Sequence, residues 1–172
     1  MNQAKASDQA RQRFNYIGQH RYLITLLVAA SQPVFTEGEA VRKVLDVLRE
    51  TCWSHRFDVY AYCFLPERLV LIVRGRSDTS DMRALLKDLR TRSSHALARG
   101  TGRSLWSRRY LERVLRKTEE SWQIADGIFQ LPVKAGLASR PEEYPFQGSF
   151  VIKLSSPGRP MNRVSSRKNP PR

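Results

Sequence analysis

Two consecutive β-strands joined by a short turn are the feature that most limits the folds open to this chain. Residues 56–64 are rich in β-branched and aromatic side chains, residues 69–73 form an unbroken apolar run, and Pro66 interrupts the pattern between them. Apolar strands without alternation usually lie in the middle of a sheet with both faces covered. The stretch therefore predicts a central hairpin that the rest of the chain must flank and cover.

The patterns on either side of this hairpin predict a small α+β domain. The predicted elements are a strand over 21–29, a helix over about 37–55, a helix over about 82–99 capped by Ser80 or Asp81, a strand over 111–116, a helix after Thr118 that ends near Pro132, and a short edge strand over 150–154. The order βαββαβ followed by a helix is typical of a ferredoxin-like sandwich. We therefore expect a four-stranded antiparallel sheet with helices on one face, an extra C-terminal helix and a basic tail.

The length of 172 residues suits one domain with tails at both ends, and an apolar content of 41% is enough for a core. We predict a polar arm over 1–20 that is mobile or weakly helical, a folded domain over 21–150, and a basic tail over 151–172 that is disordered by itself. No apolar run approaches the roughly 20 residues of a membrane span, and no signal peptide is visible. The sequence thus predicts a cytoplasmic protein without a membrane partner.

The charge of the chain favours a polyanionic partner. The net charge is +14 and the isoelectric point about 10.6, which indicates nucleic acid before membrane. Between Arg83 and Lys117, eleven basic residues stand against two acidic ones. A single row of charges is usually only a solvated helix face, but a run that continues through the next loop and strand favours a nucleic-acid surface.

The cysteines and histidines do not form a metal motif. Cys52 and Cys63 are the only cysteines, they are not spaced as C-x-x-C, and both stand in apolar contexts typical of buried free thiols. The three histidines, His20, His55 and His95, lack the spacing of metal ligands and are interpreted as surface or capping residues.

Four short blocks of the sequence form a recognisable series of motifs. The blocks are Tyr62-x-x-Leu65-Pro66, like "Y-x-x-M-P"; Leu105-Trp106-x-Arg108-Arg109-Tyr110, like "L-W-Q-R-x-Y"; Pro132-Val133-Lys134-Ala135-Gly136-Leu137, like "N-P-V-R-A-G-L"; and Pro141-Glu142-Glu143-Tyr144-Pro145, like "P-x-D-Y-P". Together they resemble the REP-associated tyrosine transposases, which belong to the single-tyrosine HUH transposases. They follow one another in the family's order, and the resemblance covers about residues 21–150.

The resemblance implies DNA transposition by cleavage and joining of single-stranded DNA. In that family, a tyrosine on the third helix attacks a phosphodiester and forms a covalent 5′-phosphotyrosine. Two histidines, two residues apart on one strand, face the same way and hold a divalent cation, Mg²⁺ or Mn²⁺.

This chain departs from the family pattern at each of those functional positions. The two histidine positions hold Arg68 and Val70, the tyrosine position holds Gly127, and the position of a further polar group beside the metal holds Leu131. Glycine cannot attack a phosphate, and valine and leucine cannot bind a hard cation. The sequence therefore predicts no catalytic residue, no metal and no cofactor, which is the pattern of a pseudoenzyme; drift at an unused position explains Gly127 equally well.

We expect the protein to bind single-stranded or hairpin DNA, as the family does. The predicted nucleic-acid-binding residues are Arg68, Arg83, Lys87, Arg90, Arg108, Arg109 and Arg113 for phosphates, and Trp106 and Tyr110 for stacking on unpaired bases. Packing in the core is the alternative interpretation for both aromatic residues.

Three other functions stay open from the sequence. They are an active DNA-nicking enzyme with a relocated nucleophile, with Tyr110 as the nearest candidate; an RNA-binding protein; and a regulatory scaffold for another protein. The resemblance to a bacterial family indicates association with the nucleoid. Monomer and dimer are both compatible with the sequence.

Overall fold

The computed structural model describes residues 14–97, 104–151, 154–156 and 159–160, and it has the predicted α+β architecture. Five antiparallel strands form one sheet in the order β4-β1-β3-β2-β5. The strands are β1 Arg21–Val28, β2 Phe57–Leu65, β3 Arg68–Gly75, β4 Trp106–Val114 and β5 Gln147–Gly148. The helices are α1 Gly38–Ser54, α2 Met82–Leu97, α3 Ser121–Phe129 and α4 Leu131–Lys134, and β6 Leu154–Ser156 pairs with β7 Arg159–Pro160 in a separate two-stranded sheet.

The central hairpin predicted from the sequence is confirmed. β3 lies between β1 and β2, with Leu71 opposite Ile24 on one side and Leu69 opposite Phe64 on the other. The turn at Pro66–Glu67 is held from outside the hairpin, because the carbonyl of Glu67 accepts the N–H of Val28 at 2.8 Å. Both faces of β3 are buried through most of its length, as an unbroken apolar strand predicts.

One face of the sheet, called here the helix-pair side, is covered by α1 and α2. The alternate residues of β1 on this side, from Tyr22 to Val28, are all buried. Buried residues of α1 recur at helical spacing, and Asp81 caps α2 by accepting the backbone N–H groups of Arg83 at 2.9 Å and Ala84 at 3.1 Å. This side contains the larger of the two apolar cores.

The opposite face, called the α3 side, is covered over only part of its width. Buried residues of α3, including Ile128 and Phe129, pack in one cluster with Cys63 of β2 and Ile72 of β3. β4 lies beyond the reach of this helix, and Leu111 on this face of β4 is 64% exposed. Further along the chain, β7 lies beside α3.

Two predicted elements have different bounds in the structure. β4 begins at Trp106 rather than at residue 111, because a register shift against β1 breaks the alternation that would have marked its first half. The short edge strand is Gln147–Gly148 rather than 150–154, of which residues 152–153 lie outside the described part. Most of the predicted tail 151–172 also lies outside it.

The end of the predicted N-terminal arm, residues 14–20, is packed rather than mobile or helical. Tyr16 is 5% exposed, and its carbonyl accepts the N–H of Met82 at 3.1 Å. Gly75 permits this packing, because a Cβ at that position would lie 2.1 Å from the backbone oxygen of Gly18. Residues 1–13 of the arm lie outside the described part.

Candidate nucleic-acid interface

The two positions that correspond to the family's metal-binding histidines lie on β3 and face the α3 side. Val70 is buried in the core under α3, beside Cys63 on the neighbouring strand. Arg68 is half-buried at the start of β3, where its Nε has no hydrogen-bond partner among the described residues. An arginine that keeps an unused donor at this point suits a phosphate oxygen better than any cation.

The positions that the resemblance assigns to the family's tyrosine and to its further polar group lie on α3 and α4. Gly127 is exposed in the last turn of α3, and a Cβ there would find nothing within 4 Å. Leu131, at the start of α4, packs against the same apolar cluster as Val70. The fold therefore brings these positions to one region, and their side chains there are apolar, cationic or absent.

A divalent cation does not fit this donor set. None of the side chains at these positions offers an oxygen or imidazole ligand, and the guanidinium of Arg68 repels a cation. Within the described ranges, no cluster of three or more histidine, cysteine, aspartate or glutamate side chains has the arrangement to hold a metal ion.

All six tyrosines fall within the described residues, and five of them are poor nucleophiles. Burial raises the pKa of Tyr144 to about 12 and also raises the pKa values of Tyr16, Tyr22 and Tyr62. Burial, together with the nearby Glu112 carboxylate, raises the pKa of Tyr110. A raised pKa leaves less phenolate to attack a phosphate.

The basic residues of α2 lie along β4, which is an edge strand of the sheet. Arg90 donates from Nη2 to the carbonyl oxygen of Ser107 at 2.6 Å, and its guanidinium lies 5.6 Å from the ring centroid of Tyr110. The guanidinium of Arg83 lies 4.3 Å from the ring centroid of Tyr16. The hydroxyl of Tyr16 in turn donates to Glu112 of β4. These interactions fix two of the predicted phosphate ligands beside the strand.

The predicted basic residues of β4 extend the same surface around the strand. Arg108 and Arg109 are exposed, and neither forms an ion pair among the described residues. Arg113 pairs with Glu119 at 2.5 Å, so part of its charge is already compensated. We call this set the β4 basic surface; its members are Arg83, Lys87, Arg90, Arg108, Arg109 and Arg113.

Of the two predicted stacking residues, Trp106 belongs to the core. It is 2% exposed, its Nε1–H donates to the buried Ser93 Oγ at 2.7 Å, and its ring lies 5.6 Å from that of Phe35. The prediction that Trp106 stacks on a base is therefore wrong, because α2 and β1 enclose it. Tyr110 is half-buried between Arg90 and the Glu112 carboxylate, with part of its ring still accessible.

The predicted site omitted two exposed tryptophans, Trp122 on α3 and Trp53. Trp53, near the end of α1, is 73% exposed, with the guanidinium of Arg76 at 4.9 Å from its ring centroid. The helical periodicity gives the signal for it, because Trp53 falls outside the apolar stripe that ends at Cys52. Cys52 and Cys63 themselves are buried free thiols, as predicted.

Two solved structures share this fold. A REP-associated tyrosine transposase bound to a REP hairpin superposes with a TM-score of 0.68 and 19% sequence identity, covering 87% of this chain and 98% of that one. A candidate transposase from Deinococcus radiodurans R1 superposes with a TM-score of 0.50 and 15% identity, over 60% of this chain and 85% of that one. The chain thus has a transposase-like fold, which supports the resemblance found in the sequence.

No protein-family model matches the chain, and no curated protein matches it. In the part of the chain that the structure describes, no helix is both long enough and apolar enough to cross a membrane.

Proposed function

We propose that this protein is a catalytically inactive relative of the REP-associated tyrosine transposases that binds single-stranded or hairpin DNA without a metal ion. The observation that carries this proposal is the contrast between two sets of residues on one fold. The positions of the family's cleavage chemistry hold Arg68, Val70, Gly127 and Leu131, whereas basic residues lie on β4 and on the part of α2 beside it. Bacterial DNA in the cytoplasm, as part of the nucleoid, is the partner that such a role implies.

Inactivity follows from the chemistry of the replaced groups. Nucleophilic attack on a phosphodiester needs a phenolate or a comparable group, and a metal or other electrophile to polarise the phosphate. Gly127 supplies neither, and five tyrosines have raised pKa values. Tyr60 is the remaining phenol, and Arg74 donates to its oxygen at 3.4 Å.

The proposed DNA binding rests on basic side chains that form no ion pair among the described residues. Arg108 and Arg109 project from an edge strand, where they meet solvent rather than a carboxylate. Basic side chains at phosphate spacing release counterions when DNA binds, so affinity falls with salt. The solved relative bound to a REP hairpin favours DNA over RNA as the partner to test first.

The decisive experiment measures binding and cleavage with the same oligonucleotides. Fluorescence anisotropy would compare a DNA hairpin with a single-stranded 5′ flank, the same hairpin as RNA, a plain single strand and a duplex, each with and without Mg²⁺. We expect metal-independent preference for the flanked DNA hairpin, and no cut product or covalent adduct on a denaturing gel. Metal-dependent cleavage or an adduct would contradict inactivity, and preference for RNA would transfer the proposal to that partner.

A pair of variants links binding to the β4 basic surface. Arg108→Ala/Arg109→Ala should weaken hairpin binding and make log affinity fall less steeply with log salt, by about 0.7–0.9 in slope for each phosphate that is no longer neutralised. The matched control, Arg42→Ala/Arg140→Ala, removes the same charge from exposed positions on α1 and on the loop after α4, where Arg140 pairs with Glu143. Equal weakening in the two variants would mean that total charge, and not this surface, sets the affinity.

A further inference from the structure

An exposed aromatic and arginine cluster lies near the C-terminus of α1, away from the β4 basic surface. We call it the Trp53 platform and define it as Trp53, Arg56 and Arg76. The guanidinium of Arg76 stacks on Trp53, and its Nη2 also donates to the carbonyl of Trp53 at 3.4 Å. Asp58 Oδ1 lies 3.7 Å from Arg76 Nε on the other side, so this guanidinium is held in place.

Two adjoining hollows share Trp53 and Arg76 of the platform as their common wall. A mainly apolar hollow of about 650 Å³ is lined by these two residues together with Phe57, Val59, Phe150 and Arg49. A second hollow of about 580 Å³ is lined by the same two residues together with Ser54, Arg56 and Ser77. An apolar slot beside a cationic, hydroxyl-lined one matches the two halves of a nucleotide, a flat base and a phosphate.

Arg56 occupies a backbone position at which glycine is favoured. Its φ is +59°, and it follows the last residues of α1, where a left-handed conformation commonly ends a helix. A non-glycine residue is disfavoured there, so this chain retains an arginine against its backbone preference. The side chain of Arg56 donates to Thr79 Oγ1 at 3.2 Å and meets no carboxylate within the described ranges.

The loop that supports Arg56 is rigidly attached to the rest of the domain. Ser80 is fully buried, and its Oγ donates to the carbonyl of Arg56 at 2.8 Å and accepts the N–H of Ser77 at 3.2 Å. The same loop runs directly into α2, whose Arg83 begins the β4 basic surface. One short loop of the chain therefore joins the platform to the β4 basic surface.

We propose that the Trp53 platform binds an unpaired nucleotide, with the base stacked on Trp53 and the phosphate held by Arg56 and Ser77. The proposal rests on the nucleic-acid-binding function proposed above and adds a second binding point for the single-stranded part of the ligand. A nucleotide is favoured over a protein partner because the site combines a flat aromatic surface with cationic donors in a protein of net charge +14.

Two variants test the platform with the flanked hairpin and a hairpin that lacks its single-stranded flank. Trp53→Ala should weaken binding of the flanked hairpin about 5- to 150-fold, since base stacking on an aromatic side chain is worth about 1–3 kcal/mol. Its matched control is Trp122→Ala, which removes a tryptophan that is 54% exposed on α3 and should leave this affinity unchanged. Binding of the unflanked hairpin should stay the same in both variants.

Arg56→Gly separates binding from folding. Glycine relieves the left-handed backbone, so the thermal midpoint should stay equal or rise while affinity for the flanked hairpin falls. If Trp53→Ala and Arg56→Gly bind the flanked hairpin as the parent protein does, while Arg108→Ala/Arg109→Ala is weakened, the platform proposal is overturned and the proposed function stands. If the parent protein binds no nucleic acid, both fail together, and the platform is then a surface for another protein.

Discussion

The two sides of the sheet differ in how tightly their residues are constrained. On the helix-pair side, α1 and α2 bury nearly every inward-facing side chain, and even the aromatic Trp106 is enclosed with its N–H satisfied. On the α3 side, a nine-residue helix covers β3 and β2, whereas Leu111 and the neighbouring arginines of β4 are exposed to solvent. Arg68 and Val70 of β3 also face this second side, and Leu131 packs against the same core.

This difference determines how much a substitution on each side disturbs the fold. A buried residue is held by packing, so replacing it creates a cavity or an overlap. A residue at a partly open cleft has fewer neighbours, so a change such as that to Gly127 disturbs little. The comparison therefore predicts large stability effects on the helix-pair side and a small or favourable one at the exposed Gly127.

The largest expected effect is at Trp106. Trp106→Ala should lower the free energy of unfolding by about 3–5 kcal/mol, because it empties a buried aromatic site and leaves Ser93 Oγ without its donor. Urea unfolding at neutral pH measures this directly. The control is Arg109→Ala on the same strand, which should change stability by about 0.5 kcal/mol or less. A decrease below about 1 kcal/mol at Trp106 would contradict its burial and reopen a stacking role.

Replacing each of two glycines by alanine should give the next largest changes in stability, with opposite signs. Gly75→Ala should destabilise the protein by about 1–3 kcal/mol or more, because the new methyl group would overlap the backbone oxygen of Gly18. Gly127→Ala should stabilise it by up to about 1 kcal/mol, because alanine is the better helix former and its Cβ meets open space. Thermal unfolding of both variants measures the contrast. If Gly127→Ala is destabilising, the open surroundings of this position do not hold in solution.

The smallest expected effect is a change of stability with pH that comes from two buried thiols. Cys52 lies in the core on the helix-pair side and Cys63 in the core on the α3 side. Burial raises the pKa of Cys52 and of Cys63 to about 12 from an ordinary value of 9.0. In the unfolded chain each thiol ionises near its ordinary pKa, whereas the folded protein keeps it protonated. The free energy of unfolding should therefore be unaffected by the thiols below about pH 9 and fall as the pH rises from there towards 12.

Urea unfolding at pH 8 and pH 10 checks this sign. Cys52→Ala and Cys63→Ala should each lose less stability between the two pH values than the parent protein, by about 1 kcal/mol. The two variants should behave alike if both cores exclude water equally. A smaller difference for Cys63→Ala alone would mean that the core under α3 is the more accessible one, which would sharpen the contrast between the two sides.

Much of the fold was predictable because local signals agreed with one another. The apolar run of β3, the helical spacing in α1 and the capping residue Asp81 each specify an element without reference to distant residues. The start of β4 was not predictable in this way. Its register shift against β1 moves residues out of simple alternation, so the strand pattern before residue 110 is hidden.

The candidate site likewise has features that the sequence shows and features that only the structure shows. The changes at Arg68, Val70, Gly127 and Leu131 were visible from motif positions alone, and the basic run from α2 to β4 from composition. The separation of basic residues that project freely, such as Arg109, from those held by internal hydrogen bonds, such as Arg90, needed the three-dimensional structure.

By itself, the sequence determined the order of elements and the excess of positive charge, because these depend on local spacing and residue type. Only the tertiary structure decided which tryptophan is buried and which is a platform. Trp106 is enclosed by elements distant in the chain, whereas Trp53 meets Arg76 across a strand hairpin. Burial is a property of what packs on a residue, and that is settled only when the sheet, the helices and the loops have come together.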